Sequence, residues 1–327
     1  MEDRFGKCFI ISDYGGTHDP FIEGIIEGCP KGFLIDFDTI AHEMSRRAPS
    51  TEPTSTQRKE PDHVQFLSGF EKEITTGERI RFQIQNKDVK PDPNTINVLK
   101  PSHASYTYML KYGITDNSGM GRASARQTAC RVVAGSIAKQ ILTHSGVSFH
   151  TQIDPETEQF LQSIDFKQPF EDTIGAKVIG CIKNVPPGIG EPIYDKLSAR
   201  LAYAMLSINA AKGFEIGEGY KATQMLGSEY NDTQNPGFSF NSNHDGGIQA
   251  GISNGQDILF TVAFKPIPTV RKKQETVDFS GNRITFFGNN RNDISVVPRV
   301  LPVVEAMAAI VILDFMLLAK MTLQNEN

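Results

Sequence analysis

Residues 302–321 read PVVEAMAAIVILDFMLLAKM, a run that is apolar almost all round and nearly long enough to cross a bilayer. Two carboxylates, Glu305 and Asp314, lie inside the run, and such charges are costly in lipid. A helix that is apolar on every side in a water-soluble protein is one buried between two layers of structure. The run therefore predicts a central core helix rather than a membrane span, with Pro298 and Pro302 at its first-turn positions.

Around this helix, short strand-like segments are mixed with long helical ones. Strands are predicted for FGKCFIIS, HVQFLSGF, RIRFQIQN, GAKVIGCIKNV and DILFTVAFKPIPT. Helices are predicted in RASARQTACRVVAGSIAKQIL and near DKLSARLAYAMLSINAAKG, where Gly213 is a plausible C-terminal stop. The segments lack the regular βαβ alternation of a doubly wound sheet. With the buried helix, they favour an α+β protein whose helices form the middle layer.

Composition limits the classes of function. At 327 residues, one large domain and two modest ones both remain open, and 39% hydrophobic with 22% charged residues is ordinary for a soluble globular protein. A net charge of −5 gives no global basic field, so no nucleic-acid partner is expected, and any anion site must be a local cluster. The terminus MEDRFGKCFI has no signal-peptide pattern, so a cytoplasmic location is expected. No metal site or disulfide is predicted, because the four cysteines are scattered: Cys8, Cys29, Cys130 and Cys181.

Two glycine-rich segments could carry chemistry. In DYGGTHDP, residues 13–20, paired glycines precede His18, which could be an acid–base group presented to a ligand or part of an ordinary turn. In DNSGMGR, residues 116–122, glycines run into a helix whose amino terminus would offer N–H groups to an anion, reinforced by Arg122 and Arg126. Close helix–sheet packing explains the second segment equally well.

Several basic side chains and one more histidine are also candidates. The predicted loop SRRAPSTEPTSTQRKEPD carries Arg46, Arg47, Arg58 and Lys59, and Arg291 and Arg299 lie near the other end of the chain. Such arginines suit a ligand with several carboxylates or a phosphate, although surface arginines are usually only solvated charge. His103 follows a proline-fixed turn in KPSHASYTY and is either an acid–base group or a hydrogen-bonded loop residue. Lys265 ends the late strand and could meet a phosphate.

Taken in order, these segments resemble the chorismate synthase family along nearly the whole chain. The resemblance rests on FGKCF, YGGTHD, SRRAPS, TQRKEPD, KPSHASYTYMLKYG, SGMGRASARQTACRVVAGSIAK, NVPPGIGEPIYDKLSARLAYAMLSINAAKGFEIGEG, NHDGGIQAGISNGQ, FKPIPT and VVPRVLPVVEAM. It implies a single domain over residues 1–327, folded as a β–α–β sandwich with a helical layer between two antiparallel sheets, and a homotetramer.

The resemblance also implies a reaction, the anti-1,4-elimination of phosphate from 5-enolpyruvylshikimate 3-phosphate to give chorismate, with reduced FMN that is not consumed. By position, His18 would protonate the leaving phosphate, His103 would balance the charge of the reduced flavin ring, and Asp293 would help to remove the substrate proton. The implied substrate ligands are Arg46, Arg47, Arg126 and Arg291, and the implied flavin contacts are Ser124, Ala125, Lys265 and Thr269.

Several residues depart from the family's pattern, and the departures concentrate in the implied site. Gly16 and Asp19 stand where the family has Glu and Gly, Ala48 stands for an arginine, and Asn292 stands for a histidine. An anionic Asp19 beside a phosphate-leaving site is unexpected, since like charges repel. A second hypothesis is therefore a catalytically impaired or re-purposed flavin- or anion-binding paralogue. A purely structural protein is hard to reconcile with the two retained histidines.

Overall fold

A computed structural model describes residues 3–50, 52–56, 62–87, 96–166, 168–288 and 292–325. Arg58, Lys59 and Arg291, three members of the predicted basic cluster, lie outside the described residues.

The helices and strands are mixed along the chain. The helices are α1 (Phe37–Arg47), α2 (Ser105–Tyr112), α3 (Thr128–Thr143), α4 (Pro155–Gln162), α5 (Leu197–Leu206), α6 (Gly227–Tyr230) and α7 (Leu301–Asn325). The strands are β1 (Arg4–Phe5), β2 (Ile10–Tyr14), β3 (Phe21–Glu27), β4 (Val64–Ser68), β5 (Phe70–Glu71), β6 (Ile74–Thr75), β7 (Ile80–Gln85), β8 (Ser148–Ile153), β9 (Ala176–Lys183), β10 (Ala211–Ile216), β11 (Ile248–Gln249), β12 (Ile252–Ser253), β13 (Ile258–Phe264), β14 (Lys273–Val277) and β15 (Arg283–Phe287).

Two antiparallel sheets form the outer layers. One has the order β1-β2-β3-β7-β4 and the other β10-β13-β9-β8. Their strands alternate as the sequence predicts, because β7 buries Ile80, Phe82 and Ile84 and exposes the residues between them to varying degrees. In each sheet a phenylalanine ring covers the glycine opposite it, Phe82 over Gly24 and Phe260 over Gly180.

A helical layer lies between the sheets. Helix α3 contacts β2 and β3 of one sheet and β8 of the other, and α7 packs along α3 and against β8 and β9. The two helices are in close contact at Gly135 of α3, where an added Cβ would lie 2.3 Å from the Cα and Cβ atoms of Ala306. These contacts confirm the prediction of an α+β sandwich with helices in the middle.

The apolar run of α7 is this central helix. Within the described part of the chain, Leu301–Lys320 is the helical segment with the length and hydropathy to cross a membrane, but 78% of that window is buried inside the protein. Its carboxylates are both satisfied there. Asp314 accepts backbone N–H groups of Lys7, Cys8 and Phe9, while Glu305 accepts from Arg46, Lys139 and Thr151. The prediction of a core helix is confirmed.

Three local predictions were wrong. Arg46 and Arg47 end α1 instead of lying in a loop; the helix starts at the N-cap Asp36 and buries Ile40 and Met44 on one face. Gly213 does not stop a helix, because α5 ends at Leu206 and Gly213 lies in β10. Pro302 does sit in the first turn of α7, but Pro298 precedes the helix.

Candidate active site

One cavity of about 460 Å³ gathers most of the residues singled out in the sequence. They come together from separate parts of the chain, most of them on loops between secondary-structure elements and Arg47 in the last turn of α1. The described polar and charged residues that line it include Thr17, His18, Arg47, Thr56, Lys100, Ser102, His103, Asn117, Ser124, Arg126, Asn209, Lys265, Thr269, Asn292, Asp293 and Arg299.

His18 lies in a tight turn between β2 and β3. The turn is closed by a hydrogen bond from Asp19 N to Gly16 O (3.2 Å) and by one from Gly16 N to the Asp19 carboxylate (2.6 Å). Gly16 packs against Gly121 of the second glycine-rich segment, where an added Cβ would come within 3.1 Å of the Gly121 backbone. The two segments therefore hold each other by close backbone contact, which gives these glycines a packing role between the segments rather than the helix–sheet packing expected from the sequence.

Two buried arginines converge on one carboxylate at the cavity. The carboxylate is that of Asp62, which is fully buried and forms ion pairs with both Arg47 and Arg126. Arg47 also donates to Thr128 Oγ1 (3.1 Å) and to the Ala125 carbonyl (3.2 Å). Burial lowers the pKa of Arg47 to about 10; the charge of Asp62 opposes this, and the nearby charges of Arg299 and Arg126 add to it. Positive charge is therefore in excess here, which favours an anionic ligand.

Asp293 is held from two sides. Its Oδ1 accepts the backbone N–H of Thr56 (2.7 Å), and its Oδ2 accepts from Arg299 Nη1 (2.5 Å). The Nε of Arg299 in turn donates to the carbonyl of Arg47 (2.9 Å). The direction of the Asp293 carboxylate is thus fixed by the backbone of Thr56 and, through Arg299, by the backbone of Arg47.

His103 lies among cations. Burial, followed by the charges of Lys100 and Lys265, lowers the pKa of His103 to about 4, so the ring is neutral near pH 7. Its Nδ1 is buried and makes no hydrogen bond with the described part of the protein. Lys265 donates to the carbonyl of Ser102 (2.6 Å), beside the histidine. A buried ring nitrogen without a partner is costly, and a bound ligand would satisfy it.

A neighbouring cavity of about 290 Å³ has a different character. Arg4, Arg122 and Arg131 line it, but each has a carboxylate partner. Glu27 pairs with Arg4 (2.8 Å), Asp3 (2.8 Å) and Asp13 (3.0 Å) pair with Arg122, and Asp13 lies 3.9 Å from Arg131. In the larger cavity the described lining has five cationic side chains, on Arg47, Lys100, Arg126, Lys265 and Arg299, against the carboxylate of Asp293 and the buried Asp62. The larger cavity is therefore the candidate anion site.

The structure brings together nearly all described residues of the predicted site. His18, His103, Asp293, Arg47, Arg126, Ser124, Ala125, Lys265 and Thr269 line the cavity, and Arg291 lies outside the described residues. Arg46 does not line it. Its guanidinium forms a bidentate pair with Glu305 (2.8 and 2.9 Å) in the helical layer, so we remove it from the candidate ligands.

The substituted residues fall in different places. Asn292 lines the cavity, whereas Asp19 and Ala48 are not among the described residues that do so. The carboxylate of Asp19 is directed at the N–H of Gly16 within its own turn. Asp62 and Thr56 were not predicted from the sequence; both belong to the basic stretch, but only the folded chain shows that they hold Arg47, Arg126 and Asp293.

Comparisons with known proteins agree over almost the whole chain. The family model described as chorismate synthase matches residues 9–317. A curated relative named chorismate synthase, from Christiangramia forsetii, is 46% identical over 346 aligned residues that cover 96% of this chain and 97% of the relative. Another of the same name, from Porphyromonas gingivalis, is 43% identical, with 95% of each chain covered.

A solved structure described as the crystal structure of chorismate synthase matches the fold. It superposes with a TM-score of 0.74 at 26% sequence identity, covering 96% of this chain and 93% of the other. The similarity of fold and sequence thus spans both sheets, the helical layer and the loops that form the cavity. This chain belongs to the chorismate synthase family.

Proposed function

We propose that the protein is a chorismate synthase, a lyase of the shikimate pathway that eliminates phosphate from 5-enolpyruvylshikimate 3-phosphate. In this reaction the carbon–oxygen bond to phosphate breaks, a proton is lost from a ring carbon in the 1,4 relation, and a new double bond forms. The observation that carries the proposal is the excess of cationic side chains around a cavity that also holds both predicted histidines. A substrate with two carboxylates and a phosphate complements that charge.

We assign substrate binding to the arginines at one side of the cavity. Arg47 and Arg126 share the single carboxylate of Asp62, so their pair keeps a net positive charge for a substrate anion. Arg299 adds a third guanidinium that already aligns Asp293. Arginine suits this role, since its planar fork binds carboxylate and phosphate in a bidentate manner. Arg291 stays a proposed ligand on the resemblance alone.

The residues fit reduced FMN as the cofactor. The orphaned Nδ1 of His103 lines a cavity whose volume is in the range of cofactor sites, and Ser124, Ala125, Lys265 and Thr269 line it too. Reduced flavin, when bound, supplies the electron-rich ring that assists loss of the phosphate and takes up the proton. Lys265 and Lys100 would offer positive charge to an anionic group, and the neutral His103 ring would gain a proton beside one.

We assign proton transfer and its control to two groups of the chain. His18 lines the cavity on a turn closed by two hydrogen bonds, which suits a donor that must be held beside the leaving phosphate. Asp293 has its carboxylate fixed by Thr56 and Arg299, which suits a group that orients the loss of the substrate proton. Holding donor and acceptor in fixed places lowers the entropic part of the barrier.

The alternative of a re-purposed paralogue is not favoured. Identity of 46% over nearly the entire chain to a named chorismate synthase supports retained function. Asp19, one of the substitutions that raised the alternative, directs its carboxylate into its own turn. We keep a homotetramer and a cytoplasmic location as parts of the proposal; the family resemblance supports the former, and light scattering of the purified protein tests it.

An anaerobic assay tests the function. Chemically reduced FMN and 5-enolpyruvylshikimate 3-phosphate are mixed with the protein, and chorismate and released phosphate are followed together. We expect equal amounts of both products, and losses of about 10²–10⁴-fold in kcat for His18→Ala. No turnover by the wild-type protein, with FMN still bound in a parallel titration, would contradict the lyase and revive the paralogue.

A further inference from the structure

Asn86, the residue that follows β7, makes hydrogen bonds both to Arg126 and to the turn that carries His18. It is not among the described residues that line the cavity itself. Its Oδ1 accepts from Arg126 Nε (2.9 Å). Its Nδ2 donates to two carbonyls, Gly16 O (3.0 Å) and Asp19 O (2.7 Å). One side-chain amide therefore contacts both Arg126 and the turn that carries His18.

The orientation of this amide is fixed by chemistry. A guanidinium N–H can only donate, and a carbonyl oxygen can only accept, so the amide oxygen must face Arg126 and the nitrogen must face the turn. Among the common side chains of similar shape, aspartate would keep the acceptor but lose both donors, and leucine would lose all three contacts. Asparagine is thus the side chain that satisfies every partner.

The two carbonyls are the ends of the turn. Gly16 and Asp19 are already joined to each other by a backbone hydrogen bond and by the Asp19 carboxylate. When one NH₂ group holds both ends, the turn can neither open nor swing without losing those bonds. The backbone of His18, within the turn, is therefore held in place by these bonds.

Arg126 is also hydrogen-bonded to the backbone at the end of β7. Its Nη2 donates to the carbonyl of Gln85 (3.0 Å), and its Nη1 pairs with Asp62. Residues 85–86 therefore make hydrogen bonds to both parts of the proposed site. One part is Arg126, which would bind a substrate anion, and the other is the turn of His18, which would protonate the leaving group.

We propose that Asn86 is a positioning residue that fixes His18 relative to Arg126, so that an anion held by the arginine meets the imidazole at the correct place. This inference rests on the proposed function for its kinetic consequence only. A loose turn would leave anion binding largely intact and misplace the proton donor, and a displacement of about 1 Å can lower a rate by about 100-fold.

The first arm of the test needs neither substrate nor flavin. The Cε1–H signals of isotope-labelled histidine are recorded by NMR for the wild type, Asn86→Ala, Asn86→Asp and the control Gln65→Glu, with His18→Gln assigning the His18 signal. Gln65 accepts from Gln83 on a neighbouring strand, so its variant makes the same amide-to-carboxylate change away from the cavity. We expect both Asn86 variants to shift or broaden the His18 signal and to leave that of His103 unchanged, and the control to affect neither.

The second arm measures kinetics. We expect kcat to fall by about 100-fold in both Asn86 variants and KM of Asn86→Ala to stay within about threefold of wild type. In a His18→Ala background, adding Asn86→Ala should leave kcat unchanged, because the residue acts through His18. The control should stay within about twofold.

The outcomes separate the two proposals. A His18 signal that is unmoved in both variants, or additive losses in the double variant, would overturn the positioning role. So would failure of both Asn86 variants to fold, checked by circular dichroism, since Asn86 would then be structural. A wild type without turnover contradicts the proposed function alone, and the NMR arm still decides the inference.

Discussion

The carboxylate of Asp19 belongs to the structure of a turn. It accepts the N–H of Gly16 at 2.6 Å, and the residue is exposed to solvent. The like-charge repulsion expected from the sequence therefore has little chance to act on a substrate, because water screens an exposed charge.

Asp19→Gly, which restores the residue usual in the family, should leave kcat/KM within about threefold of wild type. The free energy of unfolding should fall by about 1 kcal/mol, the typical worth of one hydrogen bond. Steady-state kinetics and urea unfolding measure the two effects. A rise in kcat/KM of tenfold or more would show that the charge does impede the reaction.

His103 makes the stability of the ligand-free protein depend on pH. Its pKa is about 4 in the folded protein and 6.5 when exposed, so the unfolded chain binds more protons between these values. Stability is then lost as the pH falls below about 6.5, by about 2 kcal/mol at about pH 5. His103→Gln should lack this loss. Urea unfolding at neutral pH and about pH 5 compares the two proteins, and parallel behaviour would contradict the buried neutral ring.

Helices α3 and α7 cross at a point where there is room only for glycine. A Cβ on Gly135 would fall 2.3 Å from two carbon atoms of Ala306, one of them in the backbone. Repacking would require the two central helices to move apart.

Gly135→Ala should therefore destabilise the protein by about 3 kcal/mol or more, although alanine favours helices by about 1 kcal/mol. The matched control is Gly227→Ala in α6, where an added Cβ meets nothing within 4 Å. The control should be neutral or slightly stabilising. Thermal unfolding distinguishes the two, and equal melting temperatures would show that α3 and α7 can adjust.

Helix geometry explains why Arg46 and Arg47, two adjacent residues predicted to bind the substrate together, contact different parts of the protein. The sequence placed Arg46 and Arg47 together in a loop, where neighbours can act alike. Both lie in the last turn of α1, where successive side chains point about 100° apart. Arg47 therefore reaches the cavity, and Arg46 reaches Glu305 in the helical layer. The helix was missed because its apolar stripe is narrow, being carried mainly by Ile40 and Met44.

For the whole molecule, the order of motifs along the chain predicted the architecture and most of the residues that line the cavity. Local alternation of apolar and polar residues predicted which face of a central strand is buried. Contacts between distant segments could not be predicted in this way. Asp62 lies 15 residues from Arg47 and 64 from Arg126, and nothing local marks it as their shared partner. The same holds for Asn86, whose partners Arg126, Asp19 and Gly16 lie 40, 67 and 70 residues away in sequence.

A buried ion-pair cluster ties the layers together. Glu305 of α7 pairs with Arg46 of α1 and Lys139 of α3, and accepts from Thr151 of β8. Burial acts to raise the pKa of Glu305, but hydrogen bonds and charges from Arg46 and Lys139 lower it to about 2. The ionised cluster therefore stabilises the fold above the usual pKa of 4.5, and this stability is lost as the pH falls toward about 2.

Glu305→Gln should cost about 3 kcal/mol of unfolding free energy at neutral pH, because the partly buried cations of Arg46 and Lys139 lose the buried carboxylate that compensates them. The difference in unfolding free energy between the variant and the wild type should become smaller between about pH 4.5 and about pH 3, where protonation of the wild-type carboxylate becomes less costly. Chemical unfolding across that range measures it. A gap that is constant with pH would show that the carboxylate contributes through packing rather than charge.

The close crossing at Gly135 and Ala306 has a consequence for how this protein can change. Helix α3 starts just after Arg126 and α7 just after Arg299, so the crossing, about two turns or less from each start, sets the spacing between those arginines. The arginine side of the cavity is thus inherited with the core, whereas Asn292, which also lines the cavity, lies on a loop. New ligands can be explored by exchanging such loop residues while the arginine spacing stays constant, so descendants of this chain could diverge in substrate long before they diverge in fold.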